Sequence, residues 1–247
     1  MADFRMAHPF WPLFDLVVRT PRLELRSPTD EMCVELAQAA TPAMFPDGES
    51  YFKHDWLSEP SPARERHSMQ FWWRHRAAFT PDDWHLEMAV IVDGHVVGSQ
   101  GMFAQRFPLR RSVETGSWLS APAQGRGLGK EMRTAILHLA FAGLDAQEAR
   151  SSAFEGNDRS LAVSRSVGYE DNGRQIEVRA GTRPGVTRNF RMSRESFEQR
   201  RRSDIVIANL EPCLELFGLG PDLASLDAPG APTGTAGAPT GTAGTPI

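Results

Sequence analysis

Cysteine is nearly absent. Cys33 and Cys213 are the two in the chain, too few and too far apart for a disulfide framework or a zinc knuckle, so a reducing compartment is the simpler setting. No run of about 18 uninterrupted apolar residues occurs, which argues against a membrane-spanning helix. The N-terminal stretch MADFRMAHPFWPLFDLVV has no clean apolar signal core, because Arg5, His8, Pro12 and Asp15 interrupt it, and no small-residue cleavage site follows. The expectation is a cytoplasmic protein without membrane partners. A bias to one charge sign is missing too: the net charge is −4, and the acids after Arg202 (Asp204, Glu211, Glu215, Asp222, Asp227) have no base among them, which leaves residues 1–202 at about +1. That is no basis for direct nucleic-acid binding. Lysine is confined to Lys53 and Lys130, and the seven histidines, His67 and His75 included, lack metal-ligand spacing, so no metal is assigned.

What is present is a patterned globular body. With 247 residues, 40% hydrophobic and 23% charged, the chain has room for one domain with extensions. APTGTAG occurs twice in tandem, at 231–237 and 238–244, a composition that cannot bury enough surface to order itself; residues 221–247 are expected as a disordered tail. Upstream, Ile205, Val206, Ile207, Leu210, Cys213, Leu216 and Phe217 predict a docked appendage over 203–220. Residues 1–16 are read as an N-terminal extension and 17–202 as the domain.

LVVRTPRLELRS reads as a first strand, and Ser27-Pro28-Thr29-Asp30 as an N-cap, an N1 proline and an acidic N3 residue opening a helix. A second helix starts near Ser61-Pro62 and runs to about Phe79, its Trp72-Trp73 pair expected mainly in the core. HLEMAVIVDGHVVGSQGMF gives two strands around Asp93-Gly94, a dipeptide that favours tight hairpins. Further strands are predicted at 113–120, 148–154, 174–179 and 186–192, with helices after Gly127 and at 158–167. The order β-α-α-β-β-β-α-β-α-β-β predicts an α/β fold with a mixed, mostly antiparallel central sheet flanked by helices.

The richest stretch is Leu119 to Lys130, a strand, a glycine-rich turn and a helix start. Glycines at 125, 127 and 129 let amides converge on one point, and the helix adds its positive end, so the turn suits a pyrophosphate. A P-loop would need Gly at 124 and Ser or Thr at 131, where Gln124 and Glu131 stand, and the Gly-x-Gly-x-x-Gly dinucleotide spacing is absent. The remaining pattern, Gln124-x-x-Gly127-x-Gly129, resembles the coenzyme A pyrophosphate loop of the GNAT N-acetyltransferase superfamily. Thr20-Pro-Arg-Leu-Glu-Leu-Arg26, Glu114-Thr-Gly-Ser-Trp118-Leu119, and Asn157-Asp-Arg-Ser160 ahead of Gly168-Tyr169 are similar, in the same order, to landmarks of its Rim-type ribosomal-protein branch. The resemblance covers about 17–195.

It implies that Trp118 and Leu119 lie on the strand that pairs with the pantetheine arm. It further implies that the amides of Gln124, Gly125, Arg126, Gly127, Leu128, Gly129 and Lys130 hold the pyrophosphate, and that Asn157 and Ser160 face the pantetheine and the thioester sulfur. Acyl transfer to an amine needs a base, a polarising donor and a proton for the leaving thiolate. Glu114, which shares a strand face with Gly116 and Trp118, is the base candidate, acting directly or through water. Much of the superfamily has a tyrosine acid where this chain has Ser164, so Ser160 is the preferred donor and Ser164 the fallback, while Tyr169 is expected in the core. Arg106, Arg110 and Arg111 fall in a loop, with carboxylate recognition on an acceptor or a succinyl donor as their minority role.

The resulting expectation is an acyl-CoA-dependent N-acyltransferase working by direct attack in a ternary complex. Acetyl-CoA is the default co-substrate and succinyl-CoA the variant. The acceptor is a protein N-terminal amine or lysine, or alternatively a small amine such as an antibiotic or polyamine; a homodimer is left open. The reading from a different class is a CoA-binding sensor or interaction module without catalysis.

Overall fold

Pro21 divides the first strand. In the computed structural model, which describes residues 8–45 and 48–220, the segment expected as one strand is two short antiparallel strands, β1 (Val17–Arg19) and β2 (Glu24–Arg26). Proline offers no N–H to a ladder, and the chain reverses over Thr20 to Leu23, Thr20 N donating to Leu23 O at 2.9 Å. Helix α1 (Asp30–Ala39) follows, capped by Thr29 Oγ1, which accepts from Met32 N, and not by Ser27 as the sequence suggested. The Ser-Pro pair lies ahead of the helix and the cap falls two residues later, at Thr29.

Helix α2 (Ala63–Ala77) precedes the hairpin β3 (Asp83–Val92) and β4 (His95–Gln105), where Asp93 and Gly94 take φ of 51° and 80° as the tight turn requires. One helical turn, α3 (Phe107–Arg110), lies before β5 (Ser112–Leu119). Helix α4 (Leu128–His138) ends in a π-helical turn over Leu139–Gly143, and β6 (Glu148–Phe154), α5 (Asp158–Val167), β7 (Glu170–Arg179) and β8 (Arg183–Ser193) complete the expected order. The sequence reading missed α3, α6 (Arg194–Glu198) and β9 (Val206–Ala208).

The strands form one sheet in the order β7-β8-β6-β5-β4-β3-β2-β1-β9, every neighbouring pair antiparallel except β5–β6. Period-2 alternation assigns the two faces of β3 to different cores. On one face Cys33, Leu36, Ala37 and Trp72 from α1 and α2 pack on Ala89; on the other, Leu86, Met88 and Val90 join the larger core with Met132 and Ile136 of α4. Trp73 departs from the expected core placement: one residue along the helix turns it about 100° away, leaving it 44% exposed with Nε1 donating to Asp30 Oδ1.

Leu13 and Leu16, read from sequence as lying ahead of the domain, are buried in the larger core. At the other end β9 pairs with β1, and Phe217 is fully buried with its ring 5.0 Å from that of Trp84. The tail expected over 221–247 lies outside the described residues.

Candidate functional site

The one parallel pairing is short. β5 and β6 are in register only through Ser112–Thr115 against Glu148–Ser151, whereas β5 stays paired with β4 to Leu119 and β6 with β8 to Phe154. Beyond these four pairs the strands diverge into a fork, and on the β6 side residues 116–119 have no strand partner. Unpaired main-chain groups at such an edge can pair with an extended ligand arm, as a strand would. A cavity of about 1570 Å³ runs through the fork. One arm is bounded by α2, residues 43–45 and 51–56, Glu59 and the sheet face carrying Glu87, Gly101 and Trp118; the other reaches Gln124 to Lys130 and Asn157 to Ser160.

The glycine turn has the backbone geometry of an anion cradle. Gly125 and Gly127 take φ of 73° and 79°, a left-handed geometry that L side chains rarely adopt, and Gly127 is the N-cap of α4. The free first-turn amides of α4 therefore sit behind two glycines with no side chain in the way. The turn is held from outside. Glu131, in the first turn of α4, accepts from Thr20 Oγ1 at 2.6 Å and from Arg22, whose Nη1 also donates to Arg126 O at 3.0 Å. This explains why a Thr-x-Arg pair more than 100 residues upstream belongs with the loop. Gln124 donates to Met44 O and Leu119 O, and its Oε1 accepts from Arg159. Its side chain fixes the turn and does not project freely into the cavity.

Most of the residues singled out from sequence meet on this wall. Trp118, Leu119, Gln124, Gly125, Gly127, Gly129, Lys130, Asn157 and Ser160 all line the cavity, whereas Arg126 and Leu128 do not, Leu128 being buried in the core. Arg126 is exposed in the turn itself. Asn157 Oδ1 accepts from Ser160 N at 3.2 Å as the α5 cap, which leaves its side-chain N–H groups for another partner. Glu114 stands off the cavity wall, its carboxyl raised by burial, against the opposing pull of Lys53 and Arg150. Ser164 is fully buried with no partner for Oγ and is not on the wall; neither are Arg106, Arg110 and Arg111. Tyr169 is buried as expected, hydrogen-bonded to Thr115.

Two groups on the wall escaped sequence reading. Arg133 of α4 is 3% exposed, and its guanidinium spans the fork, donating to Ser117 Oγ on β5 and Ser151 Oγ on β6. Among the described residues no carboxylate pairs with it, and burial holds its pKa below the ordinary value. Glu87 faces the other arm beside His85, with His75 behind. Burial pushes the Glu87 carboxyl up, but hydrogen bonds from His85 and Ser99 outweigh it and the net is below the usual carboxylate range. Burial, then the neighbouring His85, push His75 down to about 4.

An unfolded chain protonates that imidazole near 6.5. Between the two values the unfolded state binds the extra proton, so stability is lost as pH falls from about 6.5 toward 4. His75→Gln, which removes the titration while Arg74, His85 and Glu87 stay around it, should flatten the fall in melting temperature over that interval. An unchanged slope would locate the acid sensitivity elsewhere.

Among the described residues no helix is long and apolar enough to cross a membrane, and no group of three His, Cys, Asp or Glu could hold a metal ion. Solved structures share the fold. An acetyltransferase of the GNAT family from Bacillus anthracis aligns over 72% of this chain and 99% of its own, at 15% identity and a TM-score of 0.59. A GCN5-related N-acetyltransferase from Brucella melitensis covers 74% and 82%, at 18% identity and 0.59. RimL, a ribosomal L7/L12 α-N-protein acetyltransferase solved with coenzyme A, covers 72% and 97%, at 18% identity and 0.57. The model of the acetyltransferase (GNAT) domain matches residues 22–170. That span holds the glycine cradle, the fork and the α5 cap, and with more than half of its length matched the chain belongs to the GNAT acetyltransferase family, enzymes that transfer an acetyl group from coenzyme A to an amine.

Proposed function

We propose that this enzyme holds acetyl-CoA and a primary amine in one cavity and transfers the acetyl group by direct attack. The observation that carries the reading is the continuity of the cavity with the unpaired β5 edge in the fork and with the glycine cradle at its far end. Its volume, about 1570 Å³, exceeds the ~300–1,000 Å³ of a single small-ligand pocket, which leaves room for two reactants. The cradle fits a pyrophosphate and the edge fits an extended amide-containing arm. When bound, the co-substrate supplies the activated acyl group. This chain's residues then orient it: amides of 124–130 toward the phosphates, main-chain groups of 116–119 and the Asn157 amide along the arm. The Ser160 hydroxyl, on the same wall, is the donor toward the departing sulfur.

Two observations bear on the acceptor and one on the donor. The likeness to RimL supports a protein N-terminus or lysine as acceptor, and the edge-to-face rings of Phe45 and Phe52, tilted against Trp56 on the other arm, support a small amine with an apolar body. Arg106, Arg110 and Arg111 are off the cavity wall, which removes one support for a succinyl donor, while Lys53, Arg74, Arg133 and Arg159 do line the cavity. Calorimetry with acetyl- and succinyl-CoA, followed by mass spectrometry of products from a panel of peptides and amines, tests this. Acetyl-CoA binding with a single acetylated amine product is expected. Binding without any product would favour a sensor, and a succinylated product would revise the donor.

A further inference from the structure

Glu87 has no task in the acyl-transfer reading, yet its setting is unlike that of a surface ion pair. It stands on β3 in register with Gly101 on β4, and Gly101 is in register with Gly116 on β5. The row from the carboxylate to the fork therefore carries no side chains. A Cβ on Gly101 would lie 2.7 Å from Glu87 Oε1, and one on Gly116 would meet nothing within 4 Å. The carboxylate thus reaches across Gly101 toward the open strand edge, where the resemblance puts the donor arm. It is also held in place: Ser99 Oγ donates to Oε2 at 2.5 Å, and His85 Nε2 lies 2.8 Å from Oε1. Behind it, the rings of His75 and His85 are 3.9 Å apart between centres, and His75 Nδ1 lies 2.9 Å from Phe71 O, a contact in which the nitrogen donates. The arm that leads to this group is walled by Phe45, Phe52, Trp56, Phe71 and Phe103.

Resting on the acyl-transfer reading, we propose that Glu87, and not Glu114, takes the proton from the acceptor, and that the acceptor is a primary ammonium on an apolar or aromatic body. The ammonium gives one proton to the Glu87 carboxylate. The freed lone pair forms the C–N bond at the thioester carbonyl, and the C–S bond breaks with its electron pair on sulfur. The Ser160 hydroxyl gives its proton to that thiolate and takes the second proton from nitrogen in exchange, and Glu87 returns its proton to solvent past His85 and His75. His85 and Ser99 are positioning residues. Glu114 is separated from His85 in its own row by the Phe103 ring, with Arg150 on its other side.

The test uses two probes of nearly equal shape, benzylamine, an ammonium at neutral pH, and O-benzylhydroxylamine, which is neutral there, with thiol release from acetyl-CoA as the signal. Glu87→Gln should lower kcat on benzylamine by about 10²–10⁴-fold and on O-benzylhydroxylamine by less than about tenfold, with acetyl-CoA affinity by calorimetry unchanged. Glu114→Gln should show the same fold-change on both probes. Ser99→Ala should reduce kcat on benzylamine partially. Equal losses on both probes in Glu87→Gln, or a benzylamine-specific loss in Glu114→Gln, overturns the assignment. A wild-type enzyme that binds acetyl-CoA but acetylates neither probe overturns the acceptor class. Failure of the wild type to bind acetyl-CoA overturns the underlying reading instead.

Discussion

Gly127→Glu should remove the stabilisation that acetyl-CoA confers on the wild-type protein. At a ligand concentration one hundred times Kd the wild type gains about 2.7 kcal/mol, a clear rise in melting temperature. The substitution sets a carboxylate at the N-cap of α4, where φ is 79° and the free amides converge. A like charge about 4 Å from a phosphate costs about 4 kcal/mol at an intermediate dielectric, close to three orders of magnitude in Kd, so the gain at the same ligand concentration falls below about 0.1 kcal/mol. Arg22 Nη2 lies 3.4 Å from the added Cβ and already pairs with Glu131, so it would offset only part of the new charge. Gly127→Ala separates strain from charge: it should lose about 1–2 kcal/mol of baseline stability and keep most of the ligand shift. A full shift in Gly127→Glu would mean that the phosphates lie elsewhere.

Phe217→Ala should cost about 3–5 kcal/mol, the range for emptying a fully buried aromatic site, or about 6–20 °C in melting temperature for a domain of this size. The ring is 0% exposed and meets Trp84 edge-on at 5.0 Å and Phe79 at 5.7 Å. Neither Phe217 nor Trp84 lines the cavity, so acetyl-CoA affinity measured well below the transition should hold. Differential scanning calorimetry with and without acetyl-CoA decides it. A loss within about 0.5 kcal/mol, the usual range for surface substitutions, would show that the C-terminal segment adds little to the core.

The sequence was most legible where local chemistry decides the structure. Asp93-Gly94 could make little but a tight turn, Asn157 capped α5 at the predicted residue, and the glycine spacing placed the cradle at the head of α4. It was least legible where partners are distant in the chain. Glu87 interrupts an otherwise apolar alternation, and the glycines that give it meaning sit on two other strands, joined to it only by register. Arg133 follows Met132 on the flank of the apolar stripe of α4, and nothing local says that two strands will part around it. Glu114 looked suitable because it shares a face with Gly116 and Trp118. Its register partner is Phe103 on β4, a neighbour that the local sequence does not reveal.

The parallel ladder of four residue pairs also divides the sheet mechanically, into a leaf of β7, β8 and β6 and a leaf of the other six strands. Load applied between the leaves concentrates on that seam, and Arg133 works as a staple just inside it, one hydroxyl from each leaf in its grip. Asn157 and Ser160 follow the smaller leaf, while Glu87 belongs to the larger. On the roles proposed above, the gap between the α5 groups and Glu87 depends on this seam together with α4, whose core packing reaches both leaves. A donor arm laid against the free edge of β5 extends the seam like an added strand and makes the leaves more rigid at the moment both groups are needed.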